Sequence, residues 1–476
     1  MGWLPFARQR REQRVIGSTD PRAFSAGYFR NPDGSAGPEI RIGDTRLKVI
    51  VGGNSAGKGR GIVIPNALKR TGVSQVFVDT RCQAGAVSAP WRRTVDEKVL
   101  VSNSYGSLGD LPDYADLQGG AGINLLEAPE LDPRHPLATD HLTVMAKTLL
   151  PAENDHQPYF PTASQALFIS FAFGELVDAL REGGRKPLLA NVRRKVLERS
   201  VYDAKTGEPV AGMAFHARQI HAIGNPFVQS CISRFSGETT DEMLSVIGTF
   251  EANTRFMASP ALAADELRGG MDFAALGQRP SSLYLAVPVE HVDGCAPWFR
   301  LAITGAMRPL FAPHPVVVSV WLDEFYALKR IPLVDQIGVV AGSKIEVIIV
   351  VQSLTMLEQL YGKVWEAFLG NASAVILIGS PGDAMTCDYF VKRSGEKSVE
   401  MPHRGWTENP GGGGSSGGGG YHTRPTLSHA ELYNLQPGVG FVFLHGMADP
   451  VPAVFPGYYT DPVLSRRARS DPYQRW

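Results

Sequence analysis

GGNSAGKGR, residues 52–60, follows the apolar run Leu47-Lys48-Val49-Ile50-Val51. Its outline is that of a phosphate-binding loop, G-x-x-x-x-G-K-[ST], with Gly52, Gly57 and Lys58 in place. Gly59 stands where a Ser or Thr hydroxyl normally helps hold Mg²⁺. The match alone is weak, since Gly, Ser and Lys are common, so its context decides. The loop follows a strand and leads into GIVIPNAL, residues 61–68, an apolar helix-like segment. That order sets the backbone of Asn54, Ser55, Ala56, Gly57, Lys58, Gly59 and Arg60, with a helix N-terminus, beside bound phosphates. Lys58 supplies a compact charge for the β and γ phosphates of ATP. Pro65 lies several residues into the helix and predicts a kink.

Two further strand ends carry matching chemistry. VVVSVWLDEF, residues 316–325, is an apolar strand ending in two carboxylates, at the edge where open α/β sheets bind ligands. Asp323 is the expected Mg²⁺ ligand and Glu324 the expected general base for an attacking water. IIVVQS, residues 348–353, ends in Gln352, whose amide can contact the γ phosphate or its water. Taken singly, these are solvated acids and a turn residue. In this order, each at a strand end, they predict a nucleotide site with Lys58, Glu324 and Gln352 as its catalytic groups.

The chain has 476 residues, more than one ordinary domain, and 43% are hydrophobic, enough for a large core. Net charge is zero and the pI about 7.2, so any nucleic-acid contact must come from local patches rather than a global field. Cys82, Cys231, Cys295 and Cys387 are widely spaced, which suits isolated thiols in a reducing compartment. No ligand spacing of Cys or His suggests zinc. No apolar stretch reaches the roughly 18 residues of a spanning helix. The basic start MGWLPFARQRREQR lacks a signal-peptide core and reads as a solvated arm or a peripheral docking segment for an acidic membrane surface.

Strands are expected within residues 39–51, at 74–79, 98–102, 282–287, 316–322, 346–351, 374–378 and 438–444. From Asp140 to about Glu251 the pattern is helical, with Ser164–Leu180 apolar nearly all round, as in the central helix of a bundle. The expected division is a basic arm at 1–38, a nucleotide-binding domain at 39–139 and 256–465, an all-α domain at 140–255 and a basic, disordered tail at 466–476. GGGGSSGGGG, residues 411–420, reads as a flexible loop, native or introduced as a join. Arg193, Arg194, Lys195 and Arg199 form a cationic stripe open to DNA, an acidic effector tail or solvent.

At this point the sequence resembles the coupling proteins of type IV secretion and conjugation systems, hexameric motor ATPases of the TraG/VirD type. GKGRGIVIPNAL is similar to the family form in which GKG replaces GK[ST]. Phe77-Val78-Asp79 falls where the family has a strand ending in Asp-Pro-Lys-Gly, and INLLEAP (123–129) and Asp155–Ala163 resemble its entry into the helical domain. LDEFYALKRIPLVDQ (322–336), VVQSLTMLEQLYG (350–362) and NASAVILIGSPGDAMTCDYFVKRSGE (371–396) follow in family order, then RPTLSHAEL and GYYTDPVL.

The resemblance implies an α/β, RecA-like P-loop NTPase domain with a mainly parallel sheet, interrupted by an inserted all-α domain. It further implies a homo-hexamer that feeds DNA (from a relaxosome) or protein effectors to secretion-channel components at the inner membrane, using ATP and Mg²⁺. Three departures stand out. Family members usually begin with transmembrane helices, which suggests a shortened chain or one anchored by partners. The Asp-Pro-Lys-Gly segment here is Asp79-Thr80-Arg81-Cys82, and Glu346 occupies the strand where an arginine often lies, with Lys344 near it. Two other readings follow from these departures: a nucleotide-gated adaptor that does not hydrolyse, and a double-stranded-DNA translocase outside secretion.

Overall fold

The computed structural model describes residues 18–120, 122–152, 157–183, 185–202, 207–237, 240–331, 343–407 and 414–473. The basic start at 1–17, residues 155–156, 332–336 and 411–413 and the last three residues of the tail lie outside the described residues. In chain order the first strands are β1 (Phe24–Arg30), β2 (Ala36–Ile42), β3 (Lys48–Val51), β4 (Ser74–Asp79), β5 (Lys98–Ser102), β6 (Ser200–Tyr202) and β7 (Pro209–Ala211). There follow β8 (Ser281–Ala286), β9 (Val318–Leu322), β10 (Ile345–Val351), β11 (Ala374–Ile378), β12 (Glu396–Thr407), β13 (Gly414–Pro425), β14 (Val439–Leu444) and β15 (Val451–Val454). The chain divides into two compact units, one of residues 1–66 and 349–462, the other of 67–348 and 463–476.

In the first unit the strands run β2-β1-β15-β14-β11-β3. β3 and β11 are parallel, from Ala374↔Lys48 to Leu377↔Val51, and the remaining pairs are antiparallel. Both parallel strands are buried throughout, which is why they read as unbroken apolar runs and not as alternation. Lys48 is the exception in the pattern. Its buried ammonium donates to the carbonyls of Asp44 (2.5 Å) and Arg46 (2.9 Å), closing the turn into β3.

The expected arm at 1–38 is corrected here, because residues 24–30 form β1, paired with both β2 and β15. Gly27 hid the strand. It sits at φ +91°, in a register shift between Ser25 and Tyr28, and a side chain there would strike the Phe455 ring at 2.6 Å. The expected flexible loop at 411–420 is also corrected over Gly414–Gly420, which pair residue by residue with β12 from Thr407↔Gly414 to Met401↔Gly420. Glycine opposes an extended ladder only through entropy.

In the second unit β9-β4-β8-β5 is wholly parallel. Register sets Phe77 opposite both Tyr284 and Trp321, and the three rings stack at 5.0 and 5.7 Å. The helices Ala138–Leu149, Tyr159–Arg181, Leu189–Leu197, Gly212–His221, Pro226–Ile232 and Asp241–Asn253 form the expected helical stretch, with a small β6–β7 hairpin that sequence reading missed. Tyr159–Arg181 is long and apolar enough to cross a membrane by length and composition, contrary to expectation, but 78% of its apolar window is buried within the protein. That makes it the central helix of the bundle.

Glu175, fully buried on that helix, accepts from Arg185, Asn191 and Lys195. Burial pushes its carboxyl up, but these donors outweigh it and hold it below the usual range. Lys195 therefore leaves the cationic stripe to bind Glu175 and Asp178 (2.9 and 2.8 Å). Arg193 faces Glu251 and Arg194 faces Glu198, leaving Arg199 exposed. The stripe is largely neutralised within its own fold.

Glu266 shows the opposite balance. It is 4% exposed, one carboxylate oxygen has no hydrogen-bond partner, and burial pushes its pKa up to about 8. The N–H groups of Leu189 and Ala190, at the start of the helix Leu189–Leu197, oppose that shift.

The basic tail, expected to be disordered, is ordered to residue 473. Arg467 lies over the Trp91 ring at 4.3 Å and Arg469 over Tyr114 at 4.6 Å, and Arg469 also binds Asp116 and the Ala86 carbonyl. Cation–π stacking and buried carbonyls hold what looked like a solvated charge run.

Candidate functional site

In the first unit the loop Gly52–Gly59 sits where β3 ends, against the ends of two other strands. The Gly52 N–H donates to the Val351 carbonyl (3.1 Å), so Gln352, the next residue, borders the loop's start. On the other side a side chain at Gly52 would meet the Ile378 carbonyl at 2.5 Å, and one at Gly379 would meet Ala56 at 2.9 Å. These contacts explain the glycine at position 52. The turn itself needs left-handed backbone at Ser55 (φ +62°) and Gly57 (φ +100°). Ala56 is pinned from outside by the Gly438 N–H, which donates to its carbonyl (2.9 Å).

Lys58 opens the helix, and its ammonium crosses the loop to the carbonyls of Gly52 (2.6 Å) and Gly53 (3.0 Å). The following turn, Gly59–Val63, is π-helical, and α-helix proper begins at Ile64. Pro65 thus falls one residue after the change from π-helical to α-helical register, the kind of place where a helix accommodates a proline. No acidic residue lies in that first turn, while Lys58 and Arg60 both lie at it. Two cations with backbone N–H groups at a helix start make a receptor for a polyanion.

Asp323 and Glu324 belong to the second unit, at the C-terminal end of β9. Both are half-buried, and Asp323 Oδ1 accepts the N–H of Glu324 (3.1 Å). Glu324 is held at φ +52°, ψ +43°, a left-handed conformation that costs a non-glycine residue roughly 1–2 kcal/mol. Strain of this kind collects at functional sites. Among the described residues no group of three or more His, Cys, Asp or Glu is placed to hold a metal. A single carboxylate such as Asp323, with phosphate oxygens and water completing the shell, is the donor set that suits Mg²⁺.

The departures at residues 79–82 now have a structural account. Asp79, buried at the end of β4, accepts the N–H groups of Gln83 (2.9 Å) and Gly85 (2.8 Å), and burial pushes its pKa up to about 6. Its carboxylate caps the helix Gln83–Val95. Cys82, at the last position of the 79–82 segment, is held in the left-handed region (φ +55°), with its thiol buried and pushed up in pKa by that burial. Glu346, where an arginine was sought, is buried against Arg70 (2.7 Å) and Ser319 (2.5 Å). Lys344 donates to the Pro315 carbonyl. Sequence reading missed Arg70, whose partner lies far away along the chain.

A comparison with curated proteins finds no match. Solved structures do match over nearly the whole chain. The unbound monoclinic form of the bacterial conjugative coupling protein TrwBdeltaN70 superposes with a TM-score of 0.64 at 13% identity, covering 94% of this chain and 91% of that one. Plasmid coupling protein TrwB in complex with the non-hydrolysable ATP analogue ADPNP gives 0.63 at 13% identity over 95% and 92%. The complex of TrwB with ADP and Mg²⁺ gives 0.60 at 14% identity over 94% and 98%. At these identities the likeness establishes the fold, a RecA-like P-loop architecture with an all-helical domain. The family model for type IV secretory system conjugative DNA transfer matches residues 6–471, and the chain belongs to that family.

Proposed function

We propose that the protein is an ATP-hydrolysing motor subunit that recruits DNA or protein substrates and passes them to a type IV secretion channel. The observation that carries this reading is the loop at 52–59, a glycine-dependent seat with Lys58 and Arg60 at its helix start and no acid in that turn. The TrwB structures matched above, solved with ADPNP and with ADP and Mg²⁺, support nucleotide as the polyanion. Lys58 binds the β and γ phosphates, Glu324 takes the proton of the attacking water and Gln352 orients that water. Asp323 holds Mg²⁺, which when bound neutralises phosphate charge and offsets the missing hydroxyl at Gly59.

The working assembly in this reading is a homo-hexamer at the bacterial inner membrane, with the helical stretch at 140–255 as its substrate-recognition domain. Family membership and the order of the motifs support it. ATP turnover measured for the parent and Glu324→Gln, with and without DNA, tests the enzyme. The substitution should lower turnover by about 10²–10⁴-fold while nucleotide still binds. Equal turnover in the two proteins would sink the base assignment. Binding without turnover in the parent would point to the nucleotide-gated adaptor instead.

A further inference from the structure

Arg60 is half-buried two residues after Lys58, and the two cations diverge. Lys58 reaches back across the loop to Gly52 and Gly53. Arg60 reaches outward. Its Nε lies 3.3 Å from where a side chain on Gly57 would begin, and its Nη1 donates to the Tyr459 hydroxyl at 3.4 Å. Among the described residues this guanidinium pairs with no carboxylate. A half-buried guanidinium at a helix start, with one phenol for a partner, still has donors to offer an anion.

The far wall comes from the C-terminal segment. The Phe455 carbonyl lies 2.7 Å from where a side chain on Gly61 would begin, and the Phe455 N–H donates to Gly438, whose own N–H holds the loop at Ala56. The chain then turns at Gly457, where any side chain would strike the Tyr459 ring at 2.5 Å, which fixes that ring beside Arg60. An aromatic face and a forked cation therefore stand together on the side of the loop that Lys58 does not serve.

We propose that Arg60 and Tyr459 form the nucleoside-side clamp of the site, Arg60 binding the phosphate next to the sugar and Tyr459 packing against the nucleoside. This rests on the nucleotide reading above. It divides the labour between two cations.

The test is titration of the full chain with ADP and with tripolyphosphate, which has the phosphates but no nucleoside. Arg60→Ala should weaken both ligands by about tenfold, with Arg60→Lys recovering part of the loss. Tyr459→Ala should weaken ADP by roughly five- to tenfold and leave tripolyphosphate unchanged. ADP binding by Arg60→Ala equal to the parent overturns the clamp, as does an equal loss of both ligands in Tyr459→Ala. Lys58→Ala separates this failure from that of the nucleotide reading. If the parent binds neither ligand, or if Lys58→Ala binds both as the parent does, the site itself is refuted.

Discussion

Glu266→Gln should make the helical region insensitive to pH between 6.5 and 7.5, where the parent is not. The Glu266 carboxyl titrates at about 8 in the folded protein against 4.5 as its ordinary value. Between those values the folded state keeps a proton that the unfolded state releases. The advantage is full below about pH 4.5, shrinks as pH rises and is gone above about pH 8, at about 1.4 kcal/mol per pH unit. One unit is therefore about tenfold in any opening that exposes this carboxyl. Asp79, titrating at about 6, adds its own dependence of the same sign at lower pH, which sets the lower limit of the window. Glutamine has the shape of the protonated carboxyl and carries no titratable proton, so it keeps the packing and removes the pH dependence. The assay is hydrogen exchange of peptides covering residues 188–197, corrected for the intrinsic dependence on pH. Parent protection should fall about tenfold from pH 6.5 to 7.5, and that of Glu266→Gln less than about twofold. The same fall in both proteins would refute the assignment of the proton to Glu266.

Two further predictions concern the loop. Gly52→Ala puts a carbon 2.5 Å from the Ile378 carbonyl, so the strand-to-loop junction must shift by several tenths of an ångström. Nucleotide affinity should fall at least about tenfold while circular dichroism is unchanged, since the strain is local; affinity equal to the parent would show that the junction yields freely. Gly59→Ser should leave nucleotide affinity within about threefold of the parent, a serine hydroxyl exchanging for a water at little net gain, whereas complete loss in a titration would show that the backbone there requires glycine.

What could be read in advance followed the kind of force involved. β11 was legible to the residue because a strand buried on both faces reads as an unbroken apolar run, and β4 and β5 were legible from the short apolar runs Val76–Val78 and Val99–Val101 at their centres. β1 was not, since Gly27 breaks its alternation for the sake of the Phe455 ring, more than 400 positions away. The basic runs misled for a related reason. Lys195, Arg467 and Arg469 look solvated in the sequence, yet Glu175, Trp91 and Tyr114 claim them, and no local pattern marks those partners. The loop reversed the difficulty: its residues were legible, and the role of each was not. A motif names Lys58, but only the fold shows Lys58 and Arg60 diverging and Tyr459 arriving from the far end of the chain. Charges are the hardest residues to assign from sequence, because an arginine spent on structure and one kept for a ligand are spelled alike. Arg70 meets Glu346 in the core, whereas among the described residues the Arg60 guanidinium meets a phenol and no carboxylate, and that contrast is the physical reason to test Arg60 first.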